Sequence, residues 1–180
     1  MLLRPAQPAD ALAIARVHVR AWQHGYAGIL PASYLNQLRP EDRAAKYDLS
    51  HADPSNPYTI IATDADIISP TETSGHIEGK ILGFATTRPS QEPDLPHHGE
   101  LTALYVDPDS WGRGIGVALV SAARAHLVSL SLRHAYLFTL VDNLRAQHFY
   151  KSDQWTPDGL TRTDTVWGAV VHVLRFQRNL

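Results

Sequence analysis

Val106-Asp107-Pro108-Asp109-Ser110-Trp111-Gly112-Arg113-Gly114-Ile115-Gly116-Val117 sets three alternating glycines between an apolar run and a stretch with helical spacing. A strand that feeds a helix through glycines leaves the first amides of that helix without partners. Those donors, with the positive end of the helix dipole, favour a bound anion. Glycine lets a diphosphate approach the backbone and permits positive φ; Arg113 adds a charge. The alternative is a tight turn in which glycine only relieves crowding. A Walker loop would carry Lys-Ser/Thr after its last glycine, and here Val117 follows Gly116. A dinucleotide fingerprint would place its third glycine one residue later and would need a second Rossmann half.

Working outward, the elements on either side fall into place. Leu2 to Arg4 reads as a first strand, and Pro8 to Asp10 as a helix start, with Leu12, Ile14, Val17 and Trp22 at near-helical spacing. Gly25 and Gly28 break that helix. Pro31 suits a first helical position, and Pro40-Glu41-Asp42 opens a further helix running to about Ser50. Strands follow at Tyr58 to Thr63, Lys80 to Thr87 and Glu100 to Val106, with the polar segment Asp64 to Gly79 as a long hairpin connection. A helix from about Gly114 to Leu130 buries Val117, Val120, Leu127 and Val128. His134 to Leu140 is a strand, Asp142 or Asn143 caps a helix ending near Ser152, and Thr165 to Phe176 forms one last long strand. This order predicts an α/β (α+β) domain spanning residues 1–180, its mostly antiparallel sheet containing one crossover unit.

Composition narrows the function. The chain has 180 residues, a formal net charge of −2 and no cysteine. Disulfides, thiolate zinc sites and a cysteine nucleophile are thereby excluded. No long basic run suggests nucleic-acid binding, and no window has the length of a membrane helix. Arg4, Pro5 and Asp10 interrupt the start too early for a signal peptide. A soluble cytoplasmic protein is expected. His97 and His98 lack a third metal ligand nearby in sequence, so no metal is expected.

Three blocks in order carry a resemblance. Val106-x-Pro108-x-x-Trp111-Gly112-Arg113-Gly114-Ile115-Gly116 resembles the acyl-CoA signature Arg/Gln-x-x-Gly-x-Gly/Ala of the GNAT N-acetyltransferase superfamily. Asn143-x-x-Ala146-x-x-Phe149-Tyr150 is similar to its Asn-x-x-Ala-x-x-Phe-Tyr helix, and Leu3-Arg4-Pro5-Ala6 with Asp10-Ala11 to its opening. Trp22 to Leu38 also resembles one bacterial branch. Two departures stand out. Trp111 replaces Arg or Gln, and Gln154-Trp155 stands where Gly-Phe is common.

The resemblance implies the GNAT fold, with a mixed sheet of six to seven strands and about four helices. It implies an acetyl-CoA-dependent N-acetyltransferase in which a primary amine of a small molecule or peptide attacks the thioester directly. A non-catalytic or regulatory acyl-CoA-binding module of the same fold is the alternative. The strand bearing Leu104, Tyr105 and Val106 is expected to splay from its neighbour and pair with the pantetheine arm. An amide at or beside Val106 would face the thioester oxygen. Trp111, Gly112, Arg113, Gly114, Ile115, Gly116 and Val117 would surround the diphosphate, and Asn143, Ala146 and Tyr150 would border the cofactor. Tyr150 is the candidate general acid, or an ordinary core tyrosine. Glu100 is the candidate base, or a solvated carboxylate at a strand entry. Alternation places Glu100, Thr102, Leu104 and Val106 on one face. Asn143 caps its helix, a role compatible with a cofactor contact. Trp22, His24 and Tyr26 lie in a loop beside the acceptor pocket, with Trp22 and Tyr26 as acceptor contacts, or as core and loop staple. No metal, nucleic acid or membrane partner is implied. A homodimer built through the long last strand is one option.

Overall fold

The computed structural model describes residues 1–51, 53, 55–64 and 79–180. The chain runs β1 (Leu2–Pro5), α1 (Ala11–Gly25), α2 (Ala32–Leu35), α3 (Pro40–Ala44), β2 (Tyr58–Thr63), β3 (Ile81–Pro89) and β4 (Gly99–Val106). It continues through α4 (Ile115–Ser129), β5 (His134–Leu140), α5 (Leu144–Ser152), β6 (Thr156–Val166) and β7 (Ala169–Asn179). Short 3-10 turns precede α1 and α4. The strands form one sheet in the order β1-β2-β3-β4-β5-β7-β6, with every pairing antiparallel except β4 with β5. The expected fold is present, with seven strands and five α-helices rather than four. The predicted connection over residues 65–78 lies outside the described residues.

Apolar side chains cover both faces of the sheet. Ile115, Leu119, Val120, Ala123 and Leu127 of α4 pack with Leu82, Leu101 and Leu137 on one side. Ile14 and Val17 of α1 pack with Ile61, Ile81 and Phe84 on the other. The buried stripe of α4 therefore differs from the sequence reading. Val120 and Leu127 are buried as expected, whereas Val117 and Val128 are 60% and 51% exposed. The true stripe begins at Ile115 and continues at Leu119, one helical turn later.

Three boundaries also move. Pro31 is the N-cap of α2 rather than its first residue. Helix α3 stops at Ala44 instead of Ser50, and the chain beyond it carries Tyr47 and Leu49 into the core beneath α1. The single strand expected over Thr165 to Phe176 is the hairpin β6–β7, whose turn residues Trp167 and Gly168 have φ of 55° and 84°. Two successive left-handed residues match the twist of an antiparallel pair. Strand β7 is paired on both sides, so an edge-to-edge dimer cannot use it; β1 and β6 are the edges.

Strand β4 has a bulge. Thr87 pairs with Leu101 but Thr86 with Ala103, leaving Thr102 extra. A bulge bends its strand and resets the alternation of side chains. Leu101, Leu104 and Val106 pack toward α4, whereas Ala103 and Tyr105 pack toward α1. Glu100 lies opposite Arg88, on the α1 side. The expectation that Glu100 shares a face with Leu104 and Val106 is thus overturned by one inserted residue.

Candidate active site

After Glu100, just before the bulge, β4 leaves β5. Only Gly99 with Ala135 and Glu100 with Tyr136 pair in parallel before the strands part. The backbone of Leu104 to Val106 therefore faces a gap, as the sequence reading expected. A cavity of about 650 Å³ fills that gap and crosses the sheet from the glycine turn to the β6–β7 hairpin.

The end of the cavity beside the glycine turn is built from backbone. Asp107, buried and bound to Arg20, accepts a hydrogen bond from the Asp109 amide and fixes the turn after β4. Gly112 and Gly114 then adopt φ of 74° and 77°. Gly114 is the N-cap of α4, and no side chain caps that helix. The first amides of α4 therefore point outward without intrahelical acceptors. A Cβ built at Gly112 or Gly114 meets no heavy atom within 4 Å, so the backbone borders open space. Gly116 instead packs close to the Phe149 ring, where a Cβ would sit 3.4 Å from it. An uncapped helix start beside an open cradle fits a diphosphate. Val117 lines the cavity; Arg113 is exposed and does not.

Trp111 has a place of its own. Its indole N–H donates to the Val106 carbonyl at 2.8 Å, and the Arg145 guanidinium lies 3.4 Å from its ring centroid. Arg145 lines the cavity and makes no hydrogen bond or ion pair among the described residues. Partial burial lowers its pKa from the ordinary arginine value. Sequence reasoning missed it because Arg145 and Trp111 meet only when α5 folds against the turn.

Asn143 caps α5 by accepting from the Ala146 amide at 3.1 Å, and both residues line the cavity. That cap orients Tyr150, which is 8% exposed and packs beside Phe149, Trp155 and Phe176. The Tyr150 hydroxyl has no hydrogen-bond partner among the described residues, yet Tyr150 lines the cavity. Burial, helped by Tyr105, raises its pKa, so the phenol keeps its proton. Most buried tyrosine hydroxyls are bonded, so an unpartnered one in a residue that lines the cavity stands out.

The opposite end of the cavity lies on the α1 side. Trp22 sits within α1 and Tyr26 at its C-cap, not in a loop as expected. Both line the cavity, and Tyr26 shares a 3.4 Å hydrogen bond with Tyr105. Burial raises the Tyr26 and Tyr105 phenols, keeping both neutral. His24 bonds the Arg20 carbonyl and does not line the cavity. Trp167, at the hairpin tip, packs at a tilt against Trp22 and buried His18, and the Arg43 guanidinium lies over its ring. Those contacts hold the β6–β7 turn against α1. Glu100, 8% exposed, accepts from Arg88 Nε at 2.6 Å and borders the Tyr136 phenol. Arg162 lies over Phe138 and binds Glu92 and Asp164. Glu100 was a candidate from the sequence; Arg88, Glu92, Arg162 and Asp164 come from three other segments, so no local spacing could have signalled them. Among the described residues no group of three metal-ligating side chains occurs. No helix among them is long and apolar enough to cross a membrane.

The sequence model of the acetyltransferase (GNAT) family matches residues 35–153, a span that includes the glycine turn, Asn143 and Tyr150. The chain belongs to the GNAT acetyltransferase family. Among its relatives, the uncharacterized N-acetyltransferase YuaI of Bacillus subtilis is 26% identical over 141 residues, covering 78% of this chain and 72% of YuaI. A mycothiol acetyltransferase of Kocuria rhizophila is 34% identical over 88 residues, covering 47% of this chain and 29% of that protein. The chain thus spans less than a third of that longer relative. The fold is also that of yncA, a putative acetyltransferase from Salmonella typhimurium solved with its cofactor acetyl-CoA. It superposes with a TM-score of 0.68 at 17% identity, covering 99% of this chain and 93% of that one. This GNAT protein is an acetyltransferase.

Proposed function

We propose that the protein transfers an acetyl group from acetyl-CoA to a primary amine, with the cofactor in the gap between β4 and β5. The parting of those strands after Glu100, next to an uncapped α4, is the observation that carries this reading. Acetyl-CoA supplies the activated thioester carbonyl. The amides at the start of α4 bind the diphosphate, and Arg145 adds a positive charge beside them. Backbone groups of Leu104 to Val106 align the pantetheine, and a β4 amide beside Val106 polarises the thioester oxygen. Tyr150, protonated and otherwise unpartnered, gives its proton to the departing sulfur. Glu100, at the other end of the cavity, draws protons from the incoming ammonium through water. Holding both reactants in one enclosed gap supplies much of the rate.

Release of free thiol from acetyl-CoA, followed across a panel of primary amines, tests this. Amine-dependent release is expected. Tight coenzyme A binding without release for any amine would leave a binding module and reject the enzyme.

A further inference from the structure

The arginines bordering the acceptor end differ in what they have left to offer. Arg162 gives one terminal nitrogen to both oxygens of Glu92 and the other to Asp164, at 2.8, 3.0 and 3.2 Å. Arg88 spends only its Nε, on Glu100. Neither terminal nitrogen of Arg88 has a partner among the described residues, although Arg88 lines the cavity and its side chain is only 28% exposed. A guanidinium with a free fork suits a planar carboxylate, which it can bind through two parallel hydrogen bonds.

The position of that fork limits the molecule that uses it. Arg88 and Glu100 are cross-strand neighbours in direct contact, so a positive and a negative group sit side by side. An α-amino acid carries its ammonium and carboxylate on one carbon. It can lie antiparallel to this pair, ammonium toward Glu100 and carboxylate toward Arg88. A peptide N-terminus or a simple amine has no charge for the fork. A dication would bring a second positive charge up to it. The same cavity is also lined by Trp22, Tyr26, Leu140 and Val166, which belong to one apolar cluster, so its wall suits an apolar substituent.

We propose that the acceptor is a free α-amino acid with an apolar side chain, its carboxylate held by the terminal nitrogens of Arg88 and its amine beside Glu100. This rests on the acetyl-transfer reading above. The α-nitrogen forms a bond to the acetyl carbon as the carbon–sulfur bond breaks. The ammonium loses two protons in all. One is released to solvent through Glu100 and water, and the coenzyme A thiolate gains one from Tyr150, which recovers the other. The products are an N-acetyl amino acid and coenzyme A.

The test compares leucine, methionine, phenylalanine and valine with their carboxamides and with the amines left by removing the carboxylate, all by thiol release. At least one amino acid is expected to exceed its amide and amine by about tenfold or more in kcat/KM, the scale of a charge-assisted pair. Arg88→Ala should collapse that ratio, mainly through KM, and Arg88→Lys should restore part of it. Melting temperatures of both variants show that the fold survives, and the ratio within Arg88→Lys decides the matter if Arg88→Ala does not fold. Amides or amines used as well as the acids would overturn the proposal and leave acetyl transfer standing. So would transfer to other amines with none to these acids. No thiol release with any amine would remove the acetyl-transfer reading itself.

Discussion

The Trp111 indole donates to the Val106 carbonyl at 2.8 Å, tying the glycine turn back to the end of β4. The same ring carries the Arg145 guanidinium. A tryptophan where the family favours Arg or Gln thus supplies a brace, and α5 supplies the charge. Trp111→Phe should lower stability by about 1 kcal/mol through the lost hydrogen bond while keeping a surface for Arg145. Arg145→Ala should weaken coenzyme A about fivefold or more, and less at high salt. Calorimetric titration at two ionic strengths checks this; a salt-independent, unchanged affinity would remove Arg145 from the site.

Gly114 allows strain and occlusion to be separated. Its φ of 77° is costly for any residue with a Cβ, yet a Cβ there meets no neighbour. Gly114→Ala should therefore cost about 1–2 kcal/mol in stability. Gly114→Asp should cost a similar amount but abolish most coenzyme A binding, because it puts a negative charge where the diphosphate sits. Equal affinities for the two variants would reject the proposed cradle.

Tyr150→Phe removes a hydroxyl that no described residue bonds. Its melting temperature should stay close to that of the parent, and coenzyme A affinity should change less than twofold. Turnover should fall by about 10²-fold or more, as expected on losing a general acid. Rapid-quench or steady-state thiol release measures the drop; a variant as active as the parent would assign the proton to another donor.

Acid should destabilise the protein through His18. Burial first, and the Arg43 charge second, hold its imidazole well below the ordinary histidine range. An unfolded histidine titrates near about 6.5. Below that pH the unfolded chain takes up a proton that the folded one refuses. Stability is therefore full above this value and declines as pH falls toward the lowered folded pKa, by at most about 1.4 kcal/mol per pH unit for this group. Burial also lowers His98 and His126, so some slope should persist without His18. Urea titrations at neutral pH and at about one unit below 6.5 should show a shallower decline for His18→Phe than for the parent.

The glycine turn, the α5 cap and the position of Tyr150 were legible because their pattern is local. Glycines at a strand-to-helix junction, the Asn143 cap and the spacing to Tyr150 all lie within short windows of sequence. Gln154 shows how far a local rule carries. It stands where glycine is common, and it takes the left-handed conformation anyway, with φ of 64°, so that Trp155 still enters the core. The opposite end was legible only in part: Trp22, Tyr26 and Glu100 could be named, whereas Arg88, Glu92, Phe138 and Arg162 converge only through sheet pairing and the hairpin. The face of Glu100 was misread for a related reason. A bulge depends on what the neighbouring strand requires, and Thr102 does not announce it. The Trp167-Gly168 turn was a missed local signal, since a glycine inside an apolar run can mark a hairpin as easily as a strand.

Two parallel residue pairs are the whole hydrogen-bonded seam between the β1–β4 half of the sheet and the β5–β7–β6 half. Whatever lies along the open part of that seam becomes a temporary rung, joining halves that the polypeptide itself leaves apart. On the proposed reading the acyl donor would be structural as well as reactive, and departure of the thiol would remove part of the middle of the sheet.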